Sequence, residues 1–434
     1  MRALNYRQVV TSFIQSNENK ILLLQRSSKV GTNRGKWGAV SGYLEANEKP
    51  FSRAQIEIQE EASLQPNEIE LTRSGTPLRA FDEENQIVWI VHPYLFATHN
   101  DAIIIDWEHT NYKWIDPREL DSYDTVPKLK ETFERVQWDL RATSQRQQEA
   151  LEMICKLDED RVSGASFLGR CAVQIIANHV KSSEGTPRDD IFRDMLSLFM
   201  KSRTVQHSMA SVRNMTGKLM FQSDLIRAES KSTEDFRYAV LESAQKISSN
   251  SEKESEYAAD NLASIIAQNA KILTHSYSST VKHAFESMLH RGIPFEVFVT
   301  ESIPGYEGKA LARDLIETGL RARVVSDSNI PKILEQIDIV VVGADTVLAD
   351  GSVVNKVGTK HIAVEAKSRH VPFYVVCESG KFSTEDFLGE NIQIDDMFDV
   401  TSDDLVQKIV TELGVLEPSQ VCERIKIMLR ELYT

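Results

Sequence analysis

"GYLEANEKPFSRAQIEIQEEASL", residues 42–64, sets three carboxylates, Glu57, Glu60 and Glu61, just behind a glycine turn. At i, i+3 and i+4 they share one stripe of a helix, and like charges there repel unless something offsets them. Such a stripe is either a solvated acidic face or the ligand set of a divalent cation, which takes carboxylate oxygens. The spacing predicts one helix over about residues 50–62.

Around that helix the chain is strand-rich up to about residue 130, as in "RQVVTSFIQSNENKILLLQRS" (7–27) and "NQIVWIVHPYLFAT" (85–98). Alternating apolar runs between turns carry that reading. Residues 128–160 are polar and helical, a linker with the first helix of the next region. Between 160 and 270 helical runs dominate, among them "PRDDIFRDMLSLFMKSR" (187–203), with Pro187 placed at a helix start. The polar stretch "SSNSEKESEYAAD" (248–260) reads as an exposed loop.

After residue 270 short apolar strands alternate with amphipathic helices: "FEVFVTES" (295–302), "RARVVSD" (321–327), "IDIVVVGAD" (337–345) and "PFYVVCES" (372–379). Near-continuous apolar strands separated by helices imply a parallel, doubly wound sheet. Such sheets bind ligands at the carboxyl ends of their strands. Those ends are Glu301–Ser302, Ser326–Asp327, Gly343–Asp345 and Glu378–Ser379. In "NKVGTKHIAVEAK" (355–367) a glycine turn enters a helix beside Asn355 and Lys356, the pattern of a phosphate cradle.

Composition bounds the function. The 434 residues suit two or three domains, and 41% hydrophobic with 26% charged residues is ordinary for a globular protein. A net charge of −14 argues against direct nucleic-acid binding and against anionic membranes. Cys155, Cys171, Cys377 and Cys422 have neither metal-type nor disulfide-rich spacing and read as reduced thiols. The start "MRALNYRQVVTSFIQ" has no continuous apolar segment, and no run is long enough to span a bilayer. A cytoplasmic location is expected.

The opening stretch resembles the Nudix box, G-x5-E-x7-R-E-U-x-E-E-x-G-U with U bulky and apolar. Gly42, Glu48, Glu57, Ile58, Glu60, Glu61 and Leu64 match, while Ile56 stands for the arginine and Ser63 for the last glycine. "GKWGAVSGYLE" (35–45) and "EHTNYKWIDPREL" (108–120) extend the resemblance over about residues 5–135. It implies an α/β/α sandwich that hydrolyses a diphosphate with Mg²⁺. Glu57, Glu60 and Glu61 would be catalytic and metal-holding, and Gly42 would add a backbone carbonyl. The box arginine normally orients a glutamate; Arg53, one turn earlier, is the available substitute.

"GADTVLADGSVVNKVGT" (343–359), "ILTHSYSSTV" (272–281) and "PFYVVCESGKF" (372–382) are similar to the initiation factor 2B alpha/beta/delta family. That family holds translation-factor subunits and two sugar-phosphate isomerases. The resemblance implies a helical part and a Rossmann-like domain over about residues 145–434. Ser276 stands where the isomerases carry a cysteine, and Ser163 and Ser302 where they carry arginines; Asp345 is retained and Arg161 lies two residues from Ser163. The pattern implies a sugar-phosphate- or nucleotide-binding regulatory protein with ligand contacts at Ser276, Asp345, Asn355, Lys356 and Arg161.

The expected architecture is α/β with α+β. A Nudix domain (1–135) precedes a linker and helical subdomain (136–270) and a Rossmann-like domain (271–434). Expected partners are a phosphorylated sugar or nucleotide, further copies of the chain, and a translation factor. Two alternatives stay open: an active sugar-phosphate isomerase, and a non-catalytic interaction protein.

Overall fold

The strand Asn5–Gln15 is the spine of the N-terminal sheet, pairing in parallel with Ile87–Thr98 and antiparallel with Val40–Tyr43. Its alternation turns Val10 and Ile14 toward the helix Pro50–Ala62 and Phe13 toward Phe133 on the other face. One helix therefore covers each side of a mixed eight-stranded sheet. The computed structural model describes every residue except 1–4, 46–47, 83–86, 138–141, 161–162, 391 and 434.

The middle of the chain is a bundle of helices, Gln145–Leu157, Ala165–Lys181, Arg188–Ser202, Ala210–Glu229 and Thr233–Ile265, closed around one apolar core. The last of these corrects the sequence reading. Residues 248–260 are not a loop but lie inside a 33-residue helix. Ile247, Ser251, Ser255, Ala258, Ala259 and Leu262 form its buried face. Small serines continue the stripe there, so hydropathy drops while the helical spacing persists.

The C-terminal sheet has seven strands. Ala322–Val325, Phe295–Thr300, Ala270–Thr274, Ile339–Val342, Phe373–Val376 and Lys408–Thr411 run parallel in that spatial order, and Gly414–Leu416 closes the edge antiparallel. All four strands expected there form. Strand order reverses between Ala270–Thr274 and Ile339–Val342, which opens a crevice at their carboxyl ends. A small antiparallel sheet of Thr346–Val347, Val353–Lys356 and Phe398–Thr401 stands beside that crevice. Asn355 and Lys356 end the strand Val353–Lys356, just ahead of the glycine turn into the helix Thr359–Ser368.

The N-terminal domain docks on the helical bundle and on residues 386–390 of the C-terminal domain. The buried Arg135 donates to Asp224 at 2.9 Å and to Thr76 at 3.1 Å, with Phe192 under its guanidinium. Arg203 and Ser74 both hold Glu390, Lys49 pairs with Asp386, and the Phe51 ring packs on Gly389. Gly389 has a φ of +74°, and a Cβ there would collide with that ring. Among the described residues no helix is long and apolar enough to cross a membrane.

Candidate functional sites

The box helix forms where the spacing predicts it, Pro50–Ala62. It ends at Ser63, which takes the left-handed conformation (φ 56°) that a glycine favours. An L-residue bears that conformation at a cost of roughly 1 kcal/mol. The Ser63 hydroxyl also donates to the Ile104 carbonyl at 3.0 Å.

Glu57 and Glu61 turn inward, 6% and 3% exposed, while the Glu60 side chain is 59% exposed. Glu61 accepts from the Ser41 amide at 3.3 Å, and His109 Nε2 lies 3.8 Å from it. Burial, reinforced by the Glu57 charge, raises the Glu61 carboxyl well above its ordinary range. Glu57 is also raised, chiefly by burial, although Arg53 pulls it back. Burial lowers His109, whose Nδ1 faces Asp106 at 3.0 Å, so a neutral imidazole stands beside Glu61.

Two buried carboxylates that repel each other favour a cation between or beside them. Gly42 supports the same reading: a Cβ at that position would occupy the space of the Glu57 carboxylate. The donor set of hard oxygens suits Mg²⁺. Glu60 is not drawn in; among the described residues no three acidic, histidine or cysteine side chains are gathered closely enough to hold a metal.

The second site lies at the crevice of the C-terminal sheet. Ser276 and Ser302 both adopt left-handed backbone, with φ of 63° each. The Ser276 amide donates to Ser302 Oγ at 2.7 Å, and Asp327 takes the amides of Ser302 and Ile303 at 3.1 and 2.8 Å. His275 is committed on both ring nitrogens, to Thr300 Oγ1 at 2.6 Å and the Val357 carbonyl at 2.9 Å. Burial keeps it neutral, and it has no free nitrogen to act as base for Ser276. Cys377 supplies no substitute thiolate, because burial pushes its thiol up.

Asp345 follows the strand Ile339–Val342 and is half-buried, and desolvation pushes its carboxyl up to about 6 against the pull of Lys381 and Lys356. It accepts the Ala165 amide at the start of the helix Ala165–Lys181. Beyond it, Lys381 is buried between Asp345 and Glu378, 3.3 Å from the latter. Burial works to raise Glu378, but Lys381 and the hydroxyls of Thr280 and Ser255 outweigh it and hold it at about 2. Ser166 donates to the same carboxylate at 3.0 Å. Lys381 and Glu378 were missed as a charged pair, although both fall inside the quoted "PFYVVCESGKF", where a lysine three residues after a strand-end glutamate was the signal.

The expected phosphate cradle is otherwise engaged. The amides of Gly358 and Lys360 go to Asp399, at 2.8 and 3.2 Å. Lys356 is buried against Glu307 at 2.6 Å, and Asn355 donates to Thr359 Oγ1 at 3.1 Å. A carboxylate from the neighbouring strand thus fills the helix terminus that the glycine turn was read as offering to phosphate. Arg161 lies outside the described residues, while the Ser163 amide caps onto Asp160 at 2.8 Å.

Comparison with known proteins follows this division. Residues 5–136 match the NUDIX domain model, and residues 161–396 match the model of the Initiation factor 2 subunit family. A ribose 1,5-bisphosphate isomerase of Archaeoglobus fulgidus is 27% identical over 292 residues, spanning 62% of this chain and 90% of that protein. A putative translation initiation factor eIF-2B subunit 2-like protein of Pyrococcus horikoshii is 30% identical over 284 residues, 62% of this chain and 96% of that protein. The solved structure of the Pyrococcus horikoshii OT3 translation initiation factor eIF-2B superposes with a TM-score of 0.55 at 28% identity, over 63% of this chain and 98% of that one. A beta–delta subunit complex from Chaetomium thermophilum shares the fold, with a TM-score of 0.55 at 17% identity over 67% of this chain and 96% of that one. The chain belongs to the Initiation factor 2 subunit family and carries a NUDIX domain ahead of the family domain.

Proposed function

We propose that this protein is a ligand-responsive regulator of the initiation factor 2B type. Its C-terminal crevice takes a phosphorylated sugar or nucleotide without converting it, and its Nudix domain hydrolyses a diphosphate. The observation that carries the first half is the position of Ser276, Ser302, Asp345 and Lys381 beyond the carboxyl ends of adjacent parallel strands, with Lys356 beside them on the small antiparallel sheet. Asp345 faces a ligand as an acceptor for sugar hydroxyls, and Lys356 turns from Glu307 to the phosphate. Ser276, with neither a thiol nor a base beside it, supports binding over isomerisation.

In the Nudix domain Glu57, Glu61 and the Gly42 carbonyl would hold Mg²⁺, with Glu60 joining from the exposed side. The ion would neutralise phosphate charge and activate water. This chain's own contribution is the stripe: Glu57 and Glu61 sit where burial makes them demand a counter-charge, and neutral His109 borders them. Assembly with further copies of the chain, and docking to a translation factor, belong to the same proposal. So does a cytoplasmic location.

The test of the crevice is titration of ribose phosphates and nucleotides into the natural chain and Lys356→Ala. The natural chain is expected to bind at least one of them below millimolar, and Lys356→Ala to bind it roughly tenfold more weakly, as when a hydrogen bond to a charged group is lost. No binding by the natural chain would leave the non-catalytic interaction protein as the better reading.

A second reading, isomerase, draws on one observation. A carboxyl near 6, as at Asp345, is suited to proton transfer at neutral pH. A coupled assay with ribose 1,5-bisphosphate is expected to read background; turnover would reverse the assignment of Ser276.

A further inference from the structure

We propose that Arg53 does the work of the missing box arginine, orienting Glu57 for the metal from one helical turn earlier. This inference rests on the Nudix metal reading above. The box position itself is held by Ile56, which is 41% exposed and has no donor to offer. Arg53 sits four residues before Glu57, so the two share a face of the helix Pro50–Ala62. Its Nε donates to Glu57 Oε1 at 2.7 Å, and its Nη2 reaches the same oxygen. Nη2 also lies 3.6 Å from Glu60 Oε2.

Three features separate this grip from an ordinary surface pair. The Glu57 side chain is 8% exposed and that of Arg53 23%, so the contact is largely withdrawn from water. Both guanidinium donors fall on Oε1, which restrains that oxygen and leaves Oε2 for a cation. The position is also confined from the other side, because Gly42 leaves only enough room for the carboxylate itself. Glu57 is thus held between a glycine backbone and a planar cation. A planar fork can do this where a lysine, with a single point charge, holds less firmly.

The geometry explains how the box tolerates isoleucine. The box places its arginine next to the glutamate in sequence; here the one at 53 shares the helical stripe with Glu57 and lies 3.6 Å from Glu60 as well. The arginine has moved to the preceding turn, and the carboxylate keeps its orientation.

The experiment is isothermal titration of Mg²⁺ into the full chain, as natural protein, Arg53→Ala, Arg53→Lys, and Arg53→Ala combined with Ile56→Arg, with circular dichroism to confirm folding. Arg53→Ala should weaken Mg²⁺ by roughly ten- to a hundredfold, as when a group that orients a metal ligand is removed. Arg53→Lys should lie between, and the double variant should recover most of the natural affinity. If the natural chain binds Mg²⁺ and Arg53→Ala binds it equally well, the metal reading stands and this inference falls. A loss that Ile56→Arg does not restore marks a merely structural helix pair and overturns it too. If the natural chain binds no Mg²⁺, the metal reading itself fails and takes the inference with it.

Discussion

Lys381→Met is expected to destabilise the full chain by about 3–5 kcal/mol at pH 7.5, the usual effect of removing one partner from a buried ionic network. Lys381 is 4% exposed and faces both Glu378 and Asp345. Without it, the buried Glu378 loses its cation and Asp345 loses one of two. The pH dependence gives the prediction its second arm. Glu378 has a folded value of about 2 against an ordinary 4.5, so its contribution is complete above pH 4.5 and lost as pH falls toward 2. In the variant the Lys381 share of that contribution disappears, and protonation of the carboxyls that lost their cation offsets part of the loss. The gap between natural and variant protein in urea melts should therefore be wide at pH 7.5 and narrower at pH 5. Equal gaps would mean that Lys381 acts through packing alone.

Asp345 has the opposite sign. Its folded value of about 6 lies above the ordinary 3.8, so its charged form costs stability, beginning above pH 3.8 and complete above 6. Asp345→Asn should raise stability at pH 7.5 by roughly 2–3 kcal/mol at one pKa unit per 1.36 kcal/mol. A residue kept at that cost is one the fold does not need, which fits a binding role.

The second large effect is at the Nudix stripe. Glu57→Gln with Glu61→Gln should abolish Mg²⁺ binding, a loss of at least about a hundredfold. The same double variant should be more stable than the natural chain when no metal is added, because the burial cost and the Glu57 repulsion that raise Glu61 are gone. Added Mg²⁺ should then raise the melting temperature of the natural chain and leave the variant unchanged. At a hundred times its dissociation constant a ligand adds about 2.7 kcal/mol, which a thermal melt resolves readily. A variant that still gains stability from Mg²⁺ would place the ion elsewhere.

How much of this was legible in the sequence depends on whether the signal was local. The box helix, the four parallel strands and the position of Asp345 follow from spacing and hydropathy within one element, and they appear where expected. The helix through residues 248–260 was hidden because serines, not apolar side chains, line its inner face. The crevice was only partly visible. Nothing near "NKVGTK" announces that Asp399, forty residues on, occupies the Gly358 and Lys360 amides, or that Glu307 holds Lys356. Those contacts depend on how the small antiparallel sheet folds back, and no local pattern encodes them. Arg53 lay between these cases: its spacing from Glu57 was readable, its burial was not.

The Arg135 anchor limits how this chain can be handled. Cutting the protein into its two halves would leave Asp224 without Arg135 and uncover Phe221, Val88 and Ile90, which pack together across the seam. Either half made alone would carry a greasy patch, a recipe for clumping in the test tube. The two halves are therefore more than two proteins on one string. With an arginine closed into the seam, harm to one half should be felt as fragility in the other.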